Sequence, residues 1–236
     1  MWPFTRKRYS LLETGLLKGA TDWHCHILPG GDDGIRTLDE ALEVLAWYGE
    51  AGISEVWLTP HIMEDMPNET AALRERFEAL KAAYDGPVKL NLASENMLDN
   101  LFVERFEAGD LLPVGPRGDT LLVETSYFNP PVEMHRLLEE ISEKGFTPLL
   151  AHPERYVYME MPEYRALRDS GVKLQLNLPS LCGAYGRQAQ KKAQDILREG
   201  LYSLCGSDLH RLPAFREAAS RAALDRDTLK LTERLL

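Results

Sequence analysis

The residues of this chain best suited to chemistry are histidines and acids that end or follow short β-like runs. Two of them, His24 and His26, are separated by one residue inside the run 20–28. In a strand this spacing places both imidazoles on one face and turns Cys25 to the other, where we expect it in the core. Imidazole is a frequent ligand of transition metals, so the pair predicts either metal ligands or ordinary sheet residues.

Seven more histidines and acids hold comparable positions, at or just after the ends of other β-like runs. They are Asp33, His61, Glu95, Glu124, His152, Asp208 and His210. The C-terminal ends of strands in a parallel barrel meet at one mouth, so we expect all nine side chains to point into it. Imidazoles and carboxylates gathered there without cations would be costly, because the charged groups would be desolvated and unpaired.

This mixed donor set predicts bound transition-metal ions. Imidazole together with carboxylate suits Mn, Fe, Zn or Co better than Ca, which prefers oxygen ligands alone. Nine ligands are too many for one ion, so we expect two or three divalent ions with one bridging carboxylate. Such clusters favour hydrolysis of phosphate esters, since one ion activates water while the others hold the phosphoryl oxygens.

The elements that must position these residues are β-like runs alternating with amphipathic helix patterns. One helical stripe is formed by Leu38, Ala41, Leu42 and Leu45, at i, i+3, i+4 and i+7. The predicted strands cover 20–28, 53–59, 88–94, 120–126, 147–152, 172–177 and 201–207. The predicted helices cover 37–52, 69–86, 100–109, 134–145, 161–170, 187–199 and 214–236.

Units of about 30 residues match the size of a βαβ repeat. We therefore predict an α/β fold, a distorted TIM-like (β/α)7 barrel of parallel strands with a metal site at the C-terminal strand ends. No linker interrupts the series, so residues 1–236 are expected to form a single domain, with 1–19 as an N-terminal extension. The Gly- and Pro-rich segment 109–119 is expected on the surface.

Composition narrows the possible partners and location. Lys plus Arg total 27 and Asp plus Glu total 37, and the formal net charge of −10 argues against non-specific nucleic-acid binding. The three cysteines include no C-x-x-C pair and favour a reducing, cytoplasmic location. The basic cluster at 6–8 is not followed by a long apolar run, so neither a signal peptide nor a membrane span is expected.

Taken together, these motifs resemble those of the polymerase-and-histidinol-phosphatase (PHP) superfamily, whose members have a distorted β/α barrel and usually a trinuclear metal site. The motifs that carry the resemblance are Asp22-x-His24-x-His26, Asp33-Gly34, Thr59-Pro60-His61, Glu95, Glu124, His152-Pro153-Glu154-Arg155 and Ser207-Asp208-x-His210. Within the superfamily, HCHILPGGDDG, TPHIM and AHPERY are similar to bacterial tyrosine-protein phosphatases encoded with capsule or exopolysaccharide systems.

The resemblance implies a metal-dependent protein-tyrosine phosphatase, with Mn favoured over Fe and Zn. Its implied substrate is a phosphotyrosine-containing protein, the tyrosine-rich tail of a polysaccharide-assembly kinase. The implied metal ligands are His24, His26, Asp33, His61, Glu95, Glu124, His152, Asp208 and His210. Arg155, Asp208 and His210 are the expected catalytic residues, with Arg155 binding phosphate. Arg211 and Arg216 are alternative candidates for a second phosphate contact.

Other interpretations stay open from sequence alone. Cys205 and Arg211 have the C-x5-R spacing of cysteine-dependent tyrosine phosphatases, although Asp208 would oppose both thiolate and phosphate there. The substrate could instead be a small phosphomonoester such as histidinol phosphate, or the protein a metal-bound regulator of polysaccharide assembly without turnover. We interpret Asp22 as a partner of a metal ligand and His135 as a helix-surface residue. The oligomeric state is left open.

Overall fold

The structure, a computed structural model, describes residues 7–236, so Arg6 of the basic cluster lies outside it. Within that range nine strands alternate with ten α-helices. The strands are β1 (Thr21–Cys25), β2 (Glu55–Leu58), β3 (His61–Ile62), β4 (Lys89–Leu92), β5 (Glu95–Met97), β6 (Thr120–Glu124), β7 (Thr147–Leu150), β8 (Lys173–Asn177) and β9 (Tyr202–Gly206). The helices are α1 (Leu11–Thr14), α2 (Leu38–Ala51), α3 (Thr70–Ala83), α4 (Asn100–Ala108), α5 (Met134–Glu143), α6 (Met161–Asp169), α7 (Leu178–Leu181), α8 (Gly186–Arg198), α9 (Leu212–Ser220) and α10 (Arg226–Thr232). A 3-10 helix at Pro153–Arg155 follows β7.

The second and third predicted strands, 53–59 and 88–94, correspond to β2 and β4, and each is followed after a short break by a further strand, β3 or β5. Pro60 separates β2 from β3, because proline has no N–H to offer a neighbouring strand. Hydrogen bonds continue across the break, from the Ala93 N–H to the Leu58 carbonyl (2.9 Å) and from the Glu95 N–H to the Pro60 carbonyl (3.1 Å). β2 and β3 therefore form one long interrupted strand, and β4 and β5 form another. His61 and Glu95 lie within strands, where the sequence had placed them after strands.

Neighbouring strands run parallel throughout the two sheets. Their order is β1-β2-β4 in one sheet and β3-β5-β6-β7-β8-β9 in the other. Backbone hydrogen bonds also join β1 to the segment after β9. The Asp208 N–H donates to the His24 carbonyl (2.8 Å), and the His26 N–H donates to the Leu209 carbonyl (3.0 Å). When β2–β3 and β4–β5 are each counted as one interrupted strand, seven parallel strands follow one another from β1 to β9, and β9 is joined back to β1. This arrangement confirms the predicted parallel, barrel-like α/β architecture.

The helices turn their apolar faces towards the strands, as α2 illustrates. It begins with a capping box, in which Thr37 accepts from the Glu40 N–H and the Glu40 side chain accepts from the Thr37 N–H. Its buried residues are Ala41, Val44, Leu45, Trp47 and Tyr48. Leu38, which belongs to the predicted stripe, is 40% exposed. Compared with the predicted stripe, the buried face of α2 is therefore rotated towards Val44 and Tyr48.

The side chains that face the inside of the strand ring form an apolar layer and, above it, a polar layer. In β6, Leu121 and Val123 pack into the main hydrophobic cluster, whereas Leu122 belongs to a second, smaller cluster. The members of this second cluster are Trp57, Ala93, Val114, Leu122, Leu149 and Ala151. Glu124 stands two residues beyond Leu122, so both side chains share the inner face of the strand. An apolar layer therefore underlies the polar C-terminal ends of the strands.

The structure confirms only in part the expectation for segment 109–119, which connects α4 to β6 and is exposed at 109–110 and 116–118. It was expected on the surface, but Leu112 and Val114 are buried, and Val114 is part of the apolar layer. At the other end of the fold, Tyr9 and Leu224 exchange backbone hydrogen bonds of 2.8 and 3.0 Å. These bonds tie the N-terminal segment to the connection between α9 and α10. Across residues 7–236, no helix combines the length and the apolar sequence that a membrane crossing requires.

Candidate metal centre

Four of the nine candidate residues form a buried set of donor atoms, which we term the deep group. His24, His26, Glu95 and Asp208 each offer one nitrogen or oxygen, and these atoms lie within 4.8 Å of one another. Glu95 Oε2 lies 3.1 Å from His24 Nε2. Asp208 Oδ1 lies 3.3 Å from His26 Nε2. All four residues are buried, so this group is enclosed by protein.

A second set of donors, the outer group, lies nearer to solvent. It consists of His26, Asp33, His61 and His210, again with donor atoms within 4.8 Å of one another. Asp33 Oδ1 lies 3.3 Å from His210 Nε2 and 3.8 Å from His61 Nε2. The Asp33 side chain is 63% exposed, so the outer group opens towards solvent. His26 is common to the deep and outer groups.

A third set, the middle group, connects the other two. His61 Nδ1 lies 3.1 Å from Glu95 Oε2 and 3.0 Å from Glu124 Oε1. His152 adjoins this group, with its Nε2 2.9 Å from Glu95 Oε1 and 3.7 Å from Glu124 Oε2. The structure therefore brings all nine candidate residues together. Glu95 has one oxygen facing His152 and the other facing the deep group, as a bridging carboxylate would.

Three further polar side chains hold these residues in place, and the sequence prediction missed them. Gln175 Oε1 lies 2.6 Å from His24 Nδ1. Asp32 Oδ2 lies 2.6 Å from His26 Nδ1. Asn177 Nδ2 donates to Asp208 Oδ2 at 2.8 Å. Two of the three, Gln175 and Asn177, alternate along β8 and could have been found as polar residues at inward positions of an otherwise apolar strand.

The oxygen atoms that face Nδ1 fix the tautomers of His24 and His26. Because each Nδ1 faces an oxygen to which it can donate, the neutral form of each imidazole carries its lone pair on Nε2. The two Nε2 atoms lie only 3.0 Å apart, which is unfavourable for two lone pairs and suitable for two ligands of one cation. His61 Nδ1 and Glu124 Oε1 are also 3.0 Å apart, and neither has a hydrogen-bond partner within residues 7–236. The donor set thus fits divalent cations.

The pKa values of the candidate ligands also indicate that the site favours positive charge. Burial would raise the pKa of Glu95, but the imidazoles of His24 and His61 hold it well below its usual range. Burial would lower the pKa of His26, but the Asp32 carboxylate holds it well above its usual range. The carboxylates therefore favour positive charge at the centre of the site, and divalent ions supply that charge when they replace protons on the ligands.

Two of the candidate ligands adopt an uncommon backbone conformation. His152 (φ 35°) and Asp208 (φ 50°) are the only non-glycine residues between 7 and 236 with positive φ. This region is unfavourable for residues with a Cβ and persists only where surrounding contacts enforce it. Each residue stands two positions beyond the end of its strand, β7 or β9. The strained turns keep both side chains at the mouth of the strand ring.

A cleft of about 580 Å³ adjoins the outer group and is lined by Arg155. Arg155 Nη1 donates to Asp208 Oδ2 at 2.6 Å. Its guanidinium lies between two aromatic rings, 4.4 Å from the ring centre of Tyr127 and 4.1 Å from that of Tyr185. Such cation–π contacts stabilise the guanidinium plane. Within the described residues Asp208 is the one acceptor of Arg155 side-chain hydrogen bonds, so its other N–H donors are available to an anion in the cleft.

The two other candidate arginines have different surroundings. Arg211 lines the cleft. Its Nη1 donates to the carbonyls of Asp33, Gly34 and His210. Arg211 therefore holds the loop after β1 against the segment after β9. Arg216 instead lies over the ring of Trp47, with its Cζ 5.4 Å from the ring centre, and does not belong to the lining of the cleft.

Asp22 is a partner of a candidate ligand, as expected, but it contacts the backbone of that ligand and not its imidazole. It accepts from the backbone N–H groups of His24 (3.3 Å) and Ser207 (2.7 Å) and from the Tyr48 hydroxyl (2.6 Å). The imidazole of His24 is held by Gln175 instead. Asp22 therefore ties β1 to the end of β9 and to α2 through their backbone and hydroxyl groups, rather than orienting a candidate ligand's side chain.

The cysteine-based alternative does not fit the structure. Cys205 is buried, and its thiol faces the Leu235 carbonyl at 3.5 Å. Burial raises the pKa of this thiol well above its usual range, the opposite of what a nucleophilic cysteine needs. Nη1 of Arg211 is engaged with the backbone carbonyls of Asp33 and His210. His135 is exposed on α5, which agrees with its interpretation as a helix-surface residue.

A ring of parallel strands with overlapping imidazole and carboxylate donors at its C-terminal ends defines a divalent-metal-binding protein of the β/α-barrel class. Sequence comparison specifies it further. Residues 20–227 match the family described as "Capsular polysaccharide synthesis, CpsB/CapC", and the chain belongs to this family. The resemblance inferred from HCHILPGGDDG, TPHIM and AHPERY is thereby confirmed.

Two curated relatives are more than a quarter identical to the chain over the aligned residues. The tyrosine-protein phosphatase YwqE of Bacillus subtilis is 28% identical over 201 residues, which cover 81% of this chain and 77% of YwqE. The tyrosine-protein phosphatase CpsB of Streptococcus pneumoniae is 29% identical over 204 residues, which cover 81% of this chain and 83% of CpsB.

Solved structures agree with the sequence comparison. The chain superposes with a TM-score of 0.77 and 25% identity on a structure from a study of YwqE and CpsB, described as unique metal-dependent tyrosine phosphatases. That match covers 85% of this chain and 84% of the other. A phosphotriesterase homology protein from Escherichia coli matches with a TM-score of 0.52 at 11% identity, a likeness of fold alone.

Proposed function

We propose that this protein is a metal-dependent protein-tyrosine phosphatase that acts in capsular or exopolysaccharide synthesis. The observation that carries the proposal is the overlap of three donor groups beside a cleft whose wall presents Arg155. Membership of a family with relatives named tyrosine-protein phosphatases supports the choice of substrate. The proposed unit is the single domain 1–236, with residues 1–19 as its extension.

The nine donor residues would hold two or three divalent ions, with Mn favoured over Fe and Zn. The deep, middle and outer groups each suggest one position, and Glu95 links the first two. Ions held there would supply an activated water for hydrolysis and positive charge to offset that of the phosphoryl oxygens. Counting Asp32, five carboxylates bring about −5 to the mouth and three divalent ions would bring about +6. The site would then attract a phosphate dianion within an acidic protein.

Arg155, Asp208 and His210 are the proposed catalytic residues. Arg155 presents a planar fork that can hold two phosphoryl oxygens in parallel hydrogen bonds. Asp208 fixes that fork from one oxygen while its other oxygen faces His26 in the deep group. His210 lines the cleft beside Asp33, where it would help to hold the ion nearest the substrate. A phenol leaves with a pKa of about 10, so an aryl phosphate needs little help from a general acid.

The proposed substrate is the phosphorylated, tyrosine-rich tail of a polysaccharide-assembly kinase. A cytoplasmic location is part of this proposal, and the free, buried state of Cys25, Cys182 and Cys205 supports a reducing compartment. No role in nucleic-acid binding is proposed, given the net charge of −10.

A kinetic panel on Mn-loaded protein tests this function. Phosphotyrosine peptides should be hydrolysed with a higher kcat/KM than phosphoserine peptides or histidinol phosphate, and a chelator should abolish the activity. Cys205→Ser should keep most of it, because the buried thiol takes no part. A kinetic preference for histidinol phosphate would assign the site to a small phosphomonoester instead. The absence of turnover on every substrate with ions bound would favour a non-catalytic regulator.

A further inference from the structure

The loops on the Arg155 side of the cleft expose large apolar side chains. Within residues 7–236 the exposed large hydrophobic residues are Leu12, Leu38, Phe128, Val132, Val157 and Tyr185. Phe128 and Val132 follow β6, Val157 follows β7, and Tyr185 follows β8. Because β6, β7 and β8 are neighbours in one sheet, their following loops adjoin at the same edge. We term these four residues the apolar rim.

Contacts within the structure connect the apolar rim to the cleft. The Val157 N–H donates to the Tyr127 carbonyl at 2.9 Å, and Phe128 is the next residue in the chain. Tyr127 and Tyr185 both line the cleft and enclose the guanidinium of Arg155. The apolar rim is therefore the outward continuation of the wall that presents the proposed phosphate-binding arginine.

The loop after β6 displays its apolar residues on a restrained backbone. Phe128 is 70% exposed, and Val132 is fully exposed. Pro130 and Pro131 separate them, and each proline ring fixes its own φ. A restrained loop loses less conformational entropy when a partner covers it. Grouped apolar residues of this kind are typical of interaction surfaces, whereas single exposed hydrophobic residues need no explanation.

We propose that the apolar rim binds the residues that flank the phosphotyrosine of a protein substrate, and that it favours apolar or aromatic side chains there. This inference rests on the proposed function, because the phosphate held at Arg155 fixes where the substrate backbone leaves the cleft. A peptide entering that cleft must pass over its wall, and the apolar rim is the wall's outer edge. On the same loops the exposed acids Glu133 and Glu160 are paired with Arg136 and Lys192, so these groups offer no unpaired positive charge to an anionic membrane.

The test compares three substrates on Mn-loaded protein: p-nitrophenyl phosphate, a phosphotyrosine peptide flanked by leucines, and the same peptide flanked by serines. Phe128→Ser removes an apolar contact without touching the donor groups. It should raise KM roughly tenfold for the leucine-flanked peptide, the scale expected from burying part of an aromatic side chain. KM for the other two substrates should change less than twofold. Val157→Thr, which keeps the side-chain shape, should act in the same direction.

Leu12→Ser is the matched control, since Leu12 is also exposed but lies on α1. It should leave all three substrates unaffected. Equal effects of Phe128→Ser on all three substrates, or none on the leucine-flanked peptide, would overturn the apolar rim as a substrate-binding surface. Binding to anionic vesicles that depends on Phe128, with peptide kinetics unchanged, would overturn it in favour of a membrane. Failure of wild-type protein to hydrolyse even p-nitrophenyl phosphate would refute the proposed function itself.

Discussion

The deep and outer groups use the same residue types but are built to different degrees of rigidity. In the deep group, His24 and His26 are oriented by Gln175 and Asp32, and Asp208 accepts from Asn177. In the outer group, Asp33 is 63% exposed, and the Asp33 carboxylate contacts the imidazoles of two other candidate ligands rather than a separate supporting residue. Side chains that orient a ligand raise metal affinity, so we expect the deep position to be filled first and emptied last.

The largest effect is expected at Glu95, where the deep and middle groups meet. Glu95→Gln keeps the shape of the side chain but removes the charge that both groups share. Turnover of p-nitrophenyl phosphate should fall by roughly three orders of magnitude, because the loss reaches two ion positions at once. Elemental analysis should show fewer bound ions per chain than in wild-type protein. Full metal content with normal kcat in this variant would contradict the shared role of Glu95.

A smaller and more selective effect is expected at Asp33. Asp33→Asn should lower metal content by at most one ion, because the deep group has its own ligands. Activity should fall roughly tenfold to a hundredfold and recover in part at high Mn concentration. Titration of metal-free protein with Mn, followed by calorimetry, separates the positions by affinity. Loss of every ion in Asp33→Asn would show that metal binding at the deep and outer groups is cooperative, and the two positions could then not be distinguished by affinity.

The candidate ligands could be predicted from sequence because their types and spacing are local signals. His24 and His26 share a face by strand period alone, and the structure places their Nε2 atoms 3.0 Å apart. The partner of His24 could not be found this way, since Gln175 is 151 positions away in the chain. The continuation of two predicted strands as β3 and β5 depends on hydrogen bonds between neighbouring strands and is invisible in periodicity. The same is true of the positive φ of His152.

Gln175 tests whether these distant partners matter for the deep group. Gln175→Leu removes the acceptor for His24 Nδ1 and leaves the ligand set intact. Mn affinity of the deep position should weaken roughly tenfold to a hundredfold, with kcat near normal once Mn saturates. Gln188→Leu, on the exposed face of α8, is the matched control and should change neither quantity. A normal Mn titration in Gln175→Leu would mean that burial alone orients His24.

The smallest effect is expected at Tyr185, which acts on the cleft through Arg155 rather than through either group of ligands. Its ring centre lies 4.1 Å from the Arg155 Cζ, opposite Tyr127. Tyr185→Ala should raise KM for p-nitrophenyl phosphate roughly threefold to tenfold, the range of a partly exposed cation–π contact. Tyr185→Phe keeps the ring and should behave as wild-type protein. In an Arg155→Ala background the Tyr185→Ala change should have no further effect on KM, because the residue it positions is gone. If the effects of Arg155→Ala and Tyr185→Ala on KM are additive, Tyr185 contacts the substrate directly and does not act by positioning Arg155.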